Sequence, residues 1–245
     1  MTDSLDYSGK CVLVVGGSSG IGNGIAHAFR EQGAVVHVTG TRGNADEYAV
    51  GEGSDLAGLA YHPLDVSHRD AAEALAVEIG EVDVLVLCQG IVRYGRQEFT
   101  REGWDAVIDV NLNSLMDCAR AFHAGLAQRK GSLIIVSSTG AYHAMIGNPA
   151  YGASKAGAVS LVGSLAQAWA GDGIRVNGIA PGFVATKMTK VTTENEKRRE
   201  GVIARVPAGR MGTPQDMAGV ALFLASPLAS YVVGQTLKVD GGLSL

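Results

Sequence analysis

Six short apolar runs punctuate the chain. Cys11–Val15, Val35–Thr39, Val84–Leu87, Leu133–Val136, Arg175–Ile179 and Thr236–Val239 are mostly rich in β-branched residues and too short for helices, which predicts strands. A weaker run at Leu59–His62 brings the number to seven. Between them, Ile21–Gln32, Arg69–Ile79, Trp104–Gln128, Tyr151–Ala170 and Pro214–Ala225 mix apolar and polar positions over helical lengths. Gly33, Gly80, Gly131 and the pair Gly171 and Gly173 stand where those helices should stop, because glycine readily takes the backbone conformation that ends a helix. Strands that are apolar throughout, joined by helices, predict a parallel sheet covered on both faces. The expected architecture is therefore α/β and doubly wound, with about seven parallel strands. No linker-like stretch, low-complexity segment or repeat breaks the pattern, so residues 1–245 read as one domain.

The junction of the first strand and first helix is Val15-Gly16-Gly17-Ser18-Ser19-Gly20-Ile21-Gly22. Strand, glycine turn, helix is the context a Rossmann-type dinucleotide site requires. The glycines let backbone approach a pyrophosphate, and the helix N-terminus favours its charge. The spacing is Gly-x-x-x-Gly-x-Gly, not the more familiar Gly-x-Gly-x-x-Gly. The second strand leads into Gly40-Thr41-Arg42. An acid at this strand end binds the ribose 2′-hydroxyl of NAD. Gly40 and Thr41 would not repel a 2′-phosphate, and Arg42 either pairs with one or faces solvent in a turn. NADP(H) is favoured over NAD(H) on this ground. Asp65, following Leu64 beyond the third strand, could accept from the adenine amino group.

Tyr151 and Lys155 stand four apart in a helical segment, so a phenol and an ammonium share a face. An ammonium beside a phenol favours the phenolate and lowers its pKa from about 10. The pair is a candidate proton donor and acceptor near neutral pH.

Composition narrows the function. The net charge of −4 and pI near 5.9 leave no electrostatic footprint for nucleic acid. No apolar run reaches the roughly 18 residues of a membrane span, and the N-terminus lacks a basic and apolar leader, so a cytoplasmic location is expected. Cys11, Cys88 and Cys118 are odd in number and lie in apolar surroundings, as buried free thiols in a reducing compartment would. No Cys/His cluster has metal-ligand spacing, and no metal is expected.

Taken in order, these motifs make the chain resemble the short-chain dehydrogenase/reductase (SDR) family almost end to end. The resemblance is carried by Gly16…Gly20-Ile21-Gly22, Asp65-Val66, Asn111, Ser138, Tyr151-x-x-x-Lys155, Asn177-x-Ile179-Ala180-Pro181-Gly182, Val206-Pro207-Ala208-Gly209-Arg210 and Val239-Asp240-Gly241-Gly242. It implies that Tyr151 is the general acid/base and that Lys155 lowers its pKa and holds the nicotinamide ribose. It also implies that Ser138 orients the substrate oxygen and that Asn111 holds a water linking Lys155 to solvent. Gly16, Ser18, Ser19, Gly20, Ile21 and Gly22 are then expected at the cofactor, with Thr41, Arg42, Asp65, Val66 and Gly90. Pro181, Gly182, Val184 and Thr186 would face the nicotinamide carboxamide. The chain departs from the family at Val15, where a Thr is usual, and at Leu87-Cys88-Gln89-Gly90, where Asn-Asn-Ala-Gly is usual. The first loses a hydroxyl bond to neighbouring backbone, and the second requires Leu87 to be compensated by packing. The family resemblance also implies a homotetramer, with Ala218–Leu224 and Gly234–Leu245 as candidates to pair across a two-fold axis or simply to cover the sheet.

The implied reaction moves a hydride between nicotinamide and a carbonyl or secondary alcohol of a small molecule. Gln89, Arg93, Tyr94, Tyr142, His143, Asn148, Phe183 and Met188 fall near segments that should rim the substrate pocket, and Gln89, Arg93, Tyr142, Asn148, Phe183 and Met188 are the candidates to touch substrate. Arg93 either binds an acidic substrate group or faces solvent, and its surroundings resemble sugar-acid and small-polyol members of the family. Carrier-protein ketoreductases of the family use basic residues at the position of Arg129-Lys130 and before the sixth strand; here the second position is Asp172, which would repel an acidic carrier. A 3-oxoacyl-carrier-protein reductase and a non-catalytic dinucleotide sensor remain alternatives, the sensor having no chemical need for Asn111, Ser138, Tyr151 and Lys155 together. The charged stretch Thr189–Arg205 is either a solvated helix or a mobile lid.

Overall fold

The computed structural model describes residues 4–48 and 53–245. Its strands are β1 (Cys11–Val15), β2 (Val35–Gly40), β3 (Ala60–Pro63), β4 (Val84–Leu87), β5 (Ser132–Val136), β6 (Arg175–Pro181) and β7 (Thr236–Val239). They form one sheet of order β3-β2-β1-β4-β5-β6-β7, and every neighbouring pair is parallel. The chain leaves β1 in one direction to build β2 and β3, then returns to build β4 to β7 on the other side. Strand order reverses between β1 and β4, which opens a crevice at their carboxyl ends.

Two apolar layers hold the sheet. Successive strand residues face opposite sides, and β1 divides accordingly. Val12 and Val14 pack with Ile25 and Phe29 of α1 (Gly20–Glu31) and Met217 and Leu224 of α8 (Pro214–Ala225). Leu13 and Val15 pack on the other face with Leu75 of α2 (Ala71–Ile79), Leu115 and Phe122 of α4 (Ser114–Arg129), and Val162 and Leu165 of α5 (Pro149–Trp169). Leu87, the replacement for a bracing Asn, is fully buried in this second layer, so packing does compensate. The hydroxyl missing at Val15 is supplied from the next strand: Thr39 Oγ1 accepts from the Gly16 N–H at 3.0 Å.

The expected elements appear with ends moved by a few residues, and two differ in kind. The predicted helix Trp104–Gln128 is α3 (Arg101–Ile108) and α4 joined by a π turn, Asp109–Asn113. Such a turn holds one extra residue without disturbing the apolar pattern on either side, so periodicity does not reveal it. Thr189–Arg205 is not one helix. A 3-10 turn at Lys187–Thr189 leads into two short helices, α6 (Lys190–Thr193) and α7 (Glu196–Ile203). Most of the segment is exposed, with Val202 buried. The cysteines are free, but only Cys118 is buried; Cys11 and Cys88 are partly exposed. No helix among the described residues is long and apolar enough to cross a membrane.

Candidate active site

A cleft of about 390 Å³ runs along the carboxyl ends of β1, β4, β5 and β6. One end is the glycine turn, where Gly16, Ser18, Ser19, Gly20, Ile21 and Gly22 line the wall with Thr41 and Val66. Gly16 has φ +75°, and a Cβ there would lie 2.8 Å from the Gln89 backbone nitrogen. A Cβ on Gly22 would run into the Gly16 carbonyl. Both positions therefore need glycine to let strand, turn and helix approach this closely. The turn is braced by the β2–β3 connection. Gly53 O accepts from the Gly20 N–H at 3.1 Å, and Asn23 exchanges bonds with the Asp55 backbone at 2.6 and 3.2 Å.

The other end gathers the candidate chemistry. Tyr151 and Lys155 lie one turn apart on α5, and Ser138 follows β5. Lys155 is 4% exposed. Its Nζ donates to Val136 O at 3.0 Å and stands 5.9 Å from the centre of the Tyr151 ring. Burial pulls the ammonium down from 10.5 to about 8, against a smaller opposing effect of Cys88. The Tyr151 phenol moves the other way from expectation. Burial raises it; Ser138 hydrogen bonding lowers it, but Tyr94, Cys88 and Glu98 add to the rise. The sequence expectation took only the ammonium into account, whereas desolvation of the phenolate dominates here.

Asn111, in the π turn, is fully buried. Its Oδ1 accepts from the Ile91 N–H at 2.7 Å, and its Nδ2 donates to Ile91 O at 2.9 Å and Ser154 Oγ at 3.2 Å. The amide thus clamps the segment after β4 to α5. Both amide hydrogens are engaged in this clamp, so a water linking Lys155 to solvent would be held by an oxygen of Asn111 and not by its N–H groups.

A family model described as enoyl-(acyl carrier protein) reductase matches residues 15–244. The chain is 40% identical over 243 residues to the 3-oxoacyl-(acyl-carrier-protein) reductase FabG of Chlamydia pneumoniae, covering 96% of this chain and 97% of the relative. The chain belongs to the short-chain dehydrogenase/reductase family. It is also 38% identical over 245 residues to 2-dehydro-3-deoxy-D-gluconate 5-dehydrogenase of Bacillus subtilis, covering 98% and 96% of the two chains. Among solved structures it resembles a gluconate 5-dehydrogenase from Burkholderia cenocepacia crystallised with NADP and tartrate, with 30% identity, a TM-score of 0.86 and 99% of both chains covered. This SDR is accordingly an NAD(P)-dependent oxidoreductase.

Of the expected cofactor residues of this SDR, all but Arg42 and Asp65 line the cleft; Gly90, Pro181, Gly182, Val184 and Thr186 complete its far wall. Arg42 stacks its guanidinium on the Tyr48 ring at 4.6 Å, beside cleft-lining Thr41. Asp65 is exposed, and its Oδ1 accepts from the Ser67 N–H at 3.0 Å and from the Ser67 hydroxyl at 2.7 Å. A local turn therefore fixes one oxygen of this carboxylate, beside cleft-lining Leu64 and Val66. The substrate set divides. Met188 and Gln89 line the cleft, but the Gln89 amide turns away and donates to Ser114 Oγ of α4 at 3.0 Å. Phe183 lines a separate cavity of about 180 Å³. Asn148 donates to Arg93 O at 3.0 Å and to Glu98 Oε1 at 3.1 Å. Arg93 and Tyr142 are exposed outside the cleft. Tyr94, expected near the pocket rim, donates its hydroxyl to Met188 O at 3.0 Å across the mouth of the cleft; sequence reasoning missed Lys187, which lines the cleft. It also missed Glu98 altogether.

The residues present fit a dinucleotide. The glycine turn offers a backbone cradle that a side chain would fill. At Gly90 a Cβ would approach Asn111 Oδ1 and Lys155 Nζ at 3.4 and 3.5 Å, so glycine keeps the wall open beside the lysine.

Proposed function

We propose that this chain interconverts a ketone and a secondary alcohol on a small hydroxy acid of the sugar-acid type, using NADP(H) in preference to NAD(H). The observation that carries the reaction is the convergence of Tyr151, Ser138 and Lys155 on the end of a cleft whose other end is the glycine turn. Bound nicotinamide supplies or accepts the hydride. The chain's own residues manage the proton. In reduction, Tyr151 gives its phenolic proton to the substrate oxygen while the Ser138 hydroxyl holds that oxygen. The raised phenol suits this direction, since it keeps the proton through neutral pH. Lys155, near pH 8, can pass a proton back to Tyr151. In oxidation the same groups work in reverse. The whole chain acts as one catalytic domain.

Three features favour a small acid over an acyl carrier. Arg93 is exposed on the rim, between cleft-lining Ile91 and the Tyr94 that reaches Met188. The basic surface a carrier would use is reduced, since Arg129 pairs with Glu81 at 2.8 Å and the second family position holds the acid Asp172. The Bacillus relative is named for a sugar acid, and the Burkholderia structure holds tartrate. For the cofactor, Gly40 leaves no acid at the end of β2, because a side chain there would strike the Tyr48 hydroxyl. The second reading, a 3-oxoacyl-carrier-protein reductase, is favoured by the likeness to FabG and by exposed Lys130. Fully exposed Tyr231 and Leu245 at the β7 edge support the homotetramer, which we place in the cytoplasm; light scattering showing a monomer rejects the assembly.

Steady-state rates on a panel of keto and hydroxy sugar acids, neutral ketones and an acetoacetyl thioester, each with both cofactors, test the reading. Highest kcat/KM on an acid with NADP(H) is expected, lost by a factor of about 10³ in Tyr151→Phe with cofactor Kd unchanged. Highest kcat/KM on the thioester selects the carrier reading.

A further inference from the structure

Glu98 sits in a single 3-10 turn, Gln97–Phe99, between β4 and α3 and is 1% exposed. Burying a carboxylate is costly unless polar partners replace the lost water. Glu98 has three such partners. Its Oε1 accepts from the Arg93 N–H at 3.0 Å and from Asn148 Nδ2 at 3.1 Å, and its Oε2 accepts from the Tyr151 N–H at 2.9 Å. All three are donors, the pattern a carboxylate receives. They come from three places: the cleft rim, the residue before α5, and α5 itself.

Helix α5 begins without a local cap. Asn148 holds the N-cap position but makes no side-chain cap bond, and Pro149 follows without an N–H. The Asn148 amide reaches outward to Arg93 O and Glu98 instead. An oxygen from another element therefore meets the first-turn N–H of Tyr151. The dipole of this 21-residue helix favours a negative charge at that end.

We propose that Glu98 is a positioning residue for the reaction: its buried carboxylate fixes Tyr151 at the head of α5 and ties it to the Arg93 rim. This rests on the reading of Tyr151 as the proton donor. One group thus sets where the acid stands and where the substrate rim begins, and its charge acts on the phenol. The titratable and charged groups facing Tyr151 are Lys155 on its own helix, Cys88 beyond β4, Tyr94 on the following loop, and Glu98, with the Ser138 hydroxyl beside them. Glu98 is among those that raise the phenol. Removing its charge must therefore let the phenolate form at lower pH, and carbonyl reduction must fail at lower pH.

Ultraviolet titration of the tyrosines reads this without a substrate. The Tyr151 phenolate is the difference between each protein and the same protein carrying Tyr151→Phe. In Glu98→Gln that phenolate should appear at lower pH than in the wild type. Glu98→Asp keeps the charge and withdraws it by one methylene. It should titrate like the wild type but lose about tenfold in kcat through misplacement, with unchanged Kd for NADP. If Glu98→Gln does not fold, the Asp variant and Asn148→Ala carry the test, the latter raising substrate KM several-fold while the phenolate stays in place. An unchanged titration in Glu98→Gln overturns the proposal, as does wild-type kcat in Glu98→Asp or wild-type KM in Asn148→Ala. Full turnover by Tyr151→Phe alone overturns the acid assignment on which it rests, and that result is separate because Glu98 is intact in it.

Discussion

Lys155 should make the folded protein less stable than it could be. Its ammonium falls from 10.5 to about 8 on burial, so the native state disfavours the charge that the unfolded chain carries freely. Below about pH 8 both states hold the proton and the penalty is complete. Between about 8 and 10.5 the unfolded state binds more protons, so stability rises with pH. Above 10.5 the penalty is gone. A shift of this size corresponds to about 3 kcal/mol. Lys155→Met keeps the volume and removes the charge, but leaves Val136 O without the donor it has at 3.0 Å, which costs about 1 kcal/mol. The variant should therefore be inactive and more stable by about 1–2 kcal/mol at pH 7. Urea denaturation of both proteins at pH 7, 8.5 and 10 checks this, because other titrating groups cancel in the difference. The advantage of Lys155→Met should shrink as pH rises and reverse by pH 10. A pH-independent difference, or a variant that is less stable at pH 7, would refute the argument.

Other expectations follow from single contacts. Arg175 donates to Leu224 O, Ala225 O, Ser226 O and Ala229 O at 2.6–3.3 Å; Arg175→Ala strips these carbonyls of their cation and should destabilise the fold by about 3 kcal/mol, measured by denaturant midpoint. Gly22→Ala should weaken binding of either cofactor at least about tenfold with the circular dichroism spectrum retained, because the turn must shift away from the Gly16 carbonyl; titration calorimetry decides. Arg42→Ala should raise the Kd for NADP more than that for NAD, and equal changes would remove Arg42 from the 2′-phosphate. Residues 189–205 bury little apolar surface and should exchange amide hydrogen faster than α5, then gain protection with NADP and substrate bound; equal exchange in both states makes the segment an ordinary surface feature.

Much of the fold is legible because its signals are local. Apolar strands, helix lengths and stop glycines each occupy a few consecutive residues, and the sheet follows from their alternation. Tyr151 and Lys155 are legible for the same reason, being four apart on one helix. What could not be read are bonds across long separations. Glu98 lies in a polar, aperiodic stretch, and nothing near it in sequence announces that it meets Tyr151. Thr39 takes over a bond that the glycine motif lacks at Val15, from a strand that begins 20 residues later. The direction of Gln89 was readable and was missed. Leu85 and Leu87 face the α4 layer while Val84, Val86 and Cys88 face the other, so the two-residue period of a strand already points position 89 toward α4. The fall in Lys155 and the rise in Tyr151 depend on how deeply the helix is packed, which spacing alone does not state.

The π turn at Asp109–Asn113 also constrains how this chain can change. Each residue of a helix advances the side chains by about 100°, so a wide turn acts as a gear between the segments it joins. Upstream, α3 presents Val107 to the interior; downstream, α4 presents Leu115, Cys118, Ala119, Phe122 and Leu126. Deleting one residue from the turn would restore an uninterrupted spiral yet rotate one face against the other, exposing part of an apolar stripe and freeing Ile91 from Asn111. A stretch that looks like a helical defect is therefore closed to single-residue deletions, while substitutions at its outward positions, such as Asn113, remain open to drift.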